Sequence, residues 1–124
     1  MKRACLIVCI FIITSSCYQP KRDCKTFKHG TFTFTSIIND EEKTTTFVRY
    51  ENIEIDYYEG KSDTASVRWI NDCEYVVKKL NPANKVEEKS IHMKIRSTTD
   101  SSYTFEYGIV GETNKSVGTA IKIN

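Results

Sequence analysis

This chain has little of what catalysis or a membrane-spanning helix is built from. Only two histidines occur in 124 residues, and neither has cysteines or carboxylates at ligand spacing, whereas a zinc site draws three or four such ligands together. His29 precedes Gly30 and His92 stands between Ile91 and Met93, so both read as surface residues. The sequence contains no G-x-S-x-G, no P-loop and no G-x-G-x-x-G, which removes the common hydrolase, nucleotide and dinucleotide signatures. Apolar residues nowhere recur at helical spacing over a useful length. The longest apolar run covers residues 4–13, about half of the roughly twenty residues that a helix needs to cross a bilayer. Charge of one sign is also missing: 18 basic residues face 16 acidic ones. Lys21 with Arg22 and Lys78 with Lys79 are pairs rather than a patch, so there is no nucleic-acid footprint.

The chain opens with Lys2 and Arg3, then the apolar run, then Thr14, Ser15 and Ser16 ahead of Cys17. That is the pattern of a secretory signal with a cysteine at its cleavage edge. It resembles a bacterial lipoprotein signal, with Thr14 where leucine is usual. The resemblance implies that residues 1–16 are removed and that Cys17 carries a lipid. Residues 17–26 then read as a lipidated tether, and 27–124 as a single β-domain. Tyr18, with no acidic run after it, implies by analogy with lipoprotein sorting an outer-membrane anchor facing the periplasm, the inner membrane being the alternative. Lys2 and Arg3 leave with the signal, and the remainder is balanced in charge. Cys5 and Cys9 leave too, so Cys24 and Cys73 remain as one pair in a compartment where disulfides persist. The alternative is two buried free thiols.

From Phe32 onward the apolar residues alternate: Phe32 and Phe34, Ile53, Ile55 and Tyr57, Val67 and Trp69, then Cys73, Tyr75 and Val77. Ile91, Met93 and Ile95 follow, then Tyr103, Phe105 and Tyr107, and a last set of Val117, Ile121 and Ile123. With a further strand over 44–49 around Phe47, this predicts about eight half-buried strands. Short links such as Asn39-Asp40, Glu51-Asn52 and Gly60-Lys61-Ser62 imply antiparallel neighbours. Only residues 81–89 form a longer link. The fold class is therefore all-β: an antiparallel up-and-down meander closed, or partly open, as a small lipocalin-like barrel. Many inward positions are aromatic, which favours a packed interior over a generous cavity.

Glu54 and Asp56 share a face, as outward residues of a solvated strand do, and offer a weak signal for acid–base work. Asn114-Lys115-Ser116 matches a glycosylation triplet, which has no meaning behind a bacterial signal. Around Arg68-Trp69-Ile70-Asn71-Asp72-Cys73-Glu74-Tyr75, a tight turn sets Trp69, Cys73 and Tyr75 on one inward register. They form either a core cluster beside a disulfide or, with Tyr57, Tyr103 and Tyr107, the lining of a ligand pocket. The run 45–49, the stretch 53–57 and above all 67–75 resemble small, mostly uncharacterised lipoproteins of flavobacteria and relatives. Many of these carry the automatic name DNA topoisomerase IV. That name implies a nucleotide-binding domain, a metal-holding acidic cluster and an activated tyrosine on a far longer chain, none of which this sequence supports.

The expectation is a membrane-anchored periplasmic lipoprotein that acts as a non-catalytic binding or envelope-interaction module. The rivals are a lipocalin-like carrier of a small apolar ligand and, last, an enzyme. Expected partners are the membrane, through the lipid on Cys17, and an envelope protein or small apolar ligand. No cofactor, metal or nucleic acid is expected, and the protein is expected to be a monomer.

Overall fold

The computed structural model describes residues 22–124. The signal segment and residues 17–21 of the tether, Cys17 among them, lie outside the described residues. A single 3-10 turn, Lys25–Phe27, precedes eight strands: β1 (Gly30–Ile38), β2 (Glu41–Tyr50), β3 (Ile53–Tyr58) and β4 (Lys61–Asn71). The other four are β5 (Glu74–Lys79), β6 (Ile91–Thr98), β7 (Ser102–Ile109) and β8 (Ser116–Lys122). Each strand pairs antiparallel with the next, and β1 pairs with β8 through Phe32 with Lys122 and Phe34 with Ala120. The meander is a closed barrel.

Local chemistry fixes the hairpins. Asn39 and Asp40 both take positive φ, 52° and 63°, the backbone that a two-residue hairpin turn requires and that Asn and Asp tolerate best. Glu59 and Gly60 do the same between β3 and β4, at 48° and 76°. Two register shifts, between Trp69 and Asn71 and between Ile95 and Ser97, bend the ends of β4 and β6.

The two ends of the barrel differ. At one end the chain enters and plugs the barrel: Phe27 is fully buried and its ring lies 5.2 Å from that of Tyr103. Cys24 is joined to Cys73 by a disulfide across a sequence separation of 49. The packed body thus begins before Phe27, because Asp23 N–H already donates to Thr98 Oγ1 at 2.8 Å. The opposite end, formed by the β1–β2 and β3–β4 turns and residues 80–90, is a mouth. Lys79 pairs there with Asp63 at 2.9 Å and with Glu87 at 2.6 Å, tying the long link to the rim.

Between the ends, Phe32 stacks on Phe47 with centroids 5.1 Å apart, and Phe34 lies 5.5 Å from Phe105. β8 makes room for these rings with small residues. A Cβ on Gly118 would stand 2.5 Å from Phe34 Cε2, closer than packed atoms approach.

One strand departs from the alternation rule. On β3 the register sets Glu54 opposite Arg49 and Asp56 opposite Phe47, so the carboxylates face inward. Glu54 is only 8% exposed, whereas Tyr57, on the other face, is 45% exposed. Alternation states that a strand has two faces but not which is buried. Here a buried arginine opposite Glu54 decides it.

Candidate ligand cavity

Arg49 is the organising side chain of the interior, 1% exposed. Its Nε and Nη2 both donate to Glu54 Oε1, at 3.1 and 2.9 Å. Nη1 donates to the Phe27 carbonyl at 2.9 Å, capping the plug, and Nη2 also reaches the hydroxyls of Tyr75 at 2.8 Å and Tyr103 at 3.1 Å. The guanidinium lies 4.6 Å from the centre of the Tyr75 ring and 5.2 Å from that of Phe32, a cation–π enclosure. Burial opposes its charge, but Tyr75, Tyr103 and Glu54 outweigh burial, and it holds its proton more tightly than an ordinary arginine. Burial pushes the Tyr75 hydroxyl well above 10, leaving it neutral as a hydrogen-bond partner. No buried side-chain nitrogen or oxygen among the described residues lacks a partner.

Above this network the barrel is not filled. A cavity of about 250 Å³ opens toward the mouth, walled by Phe34, Phe47, Phe105, Tyr107, Met93 and Val77. Arg49, Glu54, Asp56 and Thr45 supply its polar surface. Its size lies just under the usual range for small-molecule pockets. Thr45 and Asp56 also border a wider polar vestibule of about 600 Å³, shared with Tyr58, Lys61, Asp63 and Lys79. Asp56 therefore stands where the apolar chamber meets the wet rim. Burial, the Glu54 charge and hydrogen bond, and Asp63 raise its carboxyl to about 7, with Arg49 opposing.

The residues singled out from sequence separate into four places. Tyr103 and Tyr107 line the cavity. Tyr75 is buried beneath it as an Arg49 partner, and Trp69 packs on Tyr75 at 4.5 Å with Lys28 Nζ 5.0 Å from its ring centre. Tyr57 is on the outer face. Cys24 and Cys73 form the disulfide. His92 is also outside, with Nε2 3.0 Å from Glu74 Oε2, and His29 is exposed. Among the described residues no group of three or more histidine, cysteine or acidic side chains is placed to hold a metal.

Sequence reasoning missed Arg49 and placed Glu54 and Asp56 on the wrong face. The available signal was the spacing: a two-residue turn at Glu51-Asn52 sets Arg49 directly across from Glu54. No family model, curated protein or solved structure matches this chain.

Proposed function

We propose that this protein is a membrane-anchored lipoprotein of the bacterial envelope whose barrel binds a small ligand without transforming it. The observation that carries this reading is the cavity, closed below by the Arg49 network and open above, with apolar walls and a few convergent polar groups. It favours the lipocalin-like carrier over a module that acts only through its outer surface. Lipidation of Cys17 rests on the pattern of residues 1–17. The described chain enters at the plugged end, so a lipid on Cys17 would hold that end toward the bilayer and turn the mouth away from it. A mouth so directed can exchange ligand with the aqueous side.

Propylbenzene, a small neutral probe, tests the cavity. A ligand that binds only the folded state raises its melting temperature, so propylbenzene should stabilise the protein held in lipid nanodiscs. Thr45→Trp, which fills the chamber from its wall, should unfold cooperatively yet show no such shift. An equal shift in both proteins, or none in the parent, contradicts the reading. For the anchor, Cys17→Ala should lose palmitate labelling in the producing cell, and a variant that still takes up label would refute lipidation at that residue.

A further inference from the structure

Resting on the reading of the cavity as a ligand site, we propose that its ligand is a small organic cation. An ammonium group on an apolar body would sit against Asp56 and Glu54, with the body among Phe34, Phe47 and Phe105. The chamber's donors and acceptors are unevenly spent. Arg49 is the cation that reaches the chamber, and its donors go to Glu54, the Phe27 carbonyl, Tyr75 and Tyr103. Lys79, at the vestibule, is held by Asp63 and Glu87. An anionic ligand would find those two cations already engaged, with Lys61 offered at the outer vestibule and not on the chamber wall. It would also meet the carboxyls of Glu54 and Asp56, and burying like charges together is costly.

Acceptors, in contrast, are in surplus. Both Arg49 bonds to Glu54 fall on the single oxygen Oε1, and Asp56 lies beside it on the chamber wall. Asp56 and Glu54 are joined by a side-chain hydrogen bond that needs the Asp56 proton, so once that proton leaves the two carboxylates face one guanidinium, bonded to Glu54, and an incoming cation completes the charge balance. The aromatic walls suit the same guest, since ring faces attract a cation and also bury an apolar body. The placement of Asp56 between chamber and vestibule would leave the cationic end near water and the apolar end inside.

The titration of Asp56 supports this placement. Facing Asp56 are Glu54 on its own strand, Arg49 on β2 and Asp63 on β4, with Lys79 of β5 bound to that Asp63, and Tyr58 of β3 and Lys61 of β4 share the vestibule with it. β6 and β7 contribute the uncharged Ile91, Met93, Tyr103, Phe105 and Tyr107 to the chamber. A carboxyl raised to about 7 in that setting carries a proton where the ligand cation would stand. The two compete, so affinity for an ammonium rises with pH up to about 7.

Three probes of similar shape separate the possibilities: phenethylammonium, propylbenzene and phenylacetate, each titrated calorimetrically into the full protein in nanodiscs, with empty nanodiscs as the blank. At about pH 8 phenethylammonium should bind about tenfold or more tightly than propylbenzene, with phenylacetate weakest, and the ammonium's advantage should shrink about tenfold near pH 5.5. In Asp56→Asn, which keeps a donor for Glu54, the ratio of the ammonium and propylbenzene affinities should fall to about one. Propylbenzene binding as tightly as the ammonium, or phenylacetate binding best, overturns the cation while leaving the cavity reading intact. Binding by none of the three overturns both.

Discussion

Arg49 and Asp56 carry opposite lessons about a charged side chain inside a small barrel. Arg49 is stable there because each of its three guanidinium nitrogens meets an acceptor and aromatic rings enclose it. Arg49→Met would leave Glu54 buried and uncompensated, and the expected cost in a denaturant titration is about 3–5 kcal/mol; adding Glu54→Gln should recover part of it. Full additivity of the two losses would mean that the pair is not coupled. Asp56 is held on the wall with a raised pKa, so the folded state binds its proton more tightly than the unfolded chain does. The resulting stability is fully present below about pH 4 and is lost as pH rises through about 7. Asp56→Asn should therefore remove this pH dependence, and near pH 8 should be more stable than the parent by about 2–4 kcal/mol. Parallel stability curves for the two proteins across that window would contradict the assignment. Neither residue was legible as a site from sequence, because an arginine and an aspartate within alternating strands look like solvated surface until the facing strand is known.

At the scale of elements, the strands and turns were legible and the facing of one strand was not. Turn residues such as Asn39-Asp40 require a backbone that few other residues adopt, so they marked hairpins directly. On β3, Ile53, Ile55 and Tyr57 made the apolar face and suggested an inward set that would help fill the barrel. The burial of Arg49 reverses that choice, and β3 and β4 instead present Glu54, Asp56 and the small Ala65 to the interior. Bulk expected inside is thus outside, which is part of why a chamber exists. The segment before β1 was also misjudged, since Cys24 and the 3-10 turn belong to the plug. Closing a loop with a separation of 49 residues is worth about 4 kcal/mol in the chain-entropy model. Cys24→Ser with Cys73→Ser should lower stability by about 2–5 kcal/mol, which a denaturant titration of the oxidised parent and the double variant would show. An unchanged midpoint would mean that the plug is held by Phe27 and Arg49 alone.

For the whole molecule, the barrel class could be read from strand count and short links, because an antiparallel meander of that length with one apolar face must hide its edges. The distribution of space inside could not, since a list of aromatic residues does not say which half of the barrel they occupy. Phe32, Tyr75 and Tyr103 gather around Arg49, whereas Phe34, Phe105 and Tyr107 line the mouth-side half without filling it. The most direct measurement of that arrangement is the methyl resonance of Met93, which lines the chamber; the chain's other methionine is Met1. With the methyl groups of methionine, isoleucine and valine labelled, titration with propylbenzene should move the Met93 signal saturably in the parent protein and leave it in place in Thr45→Trp. A Met93 signal that stays fixed while exposed mouth residues such as Ile37 and Val117 respond would contradict the internal binding site.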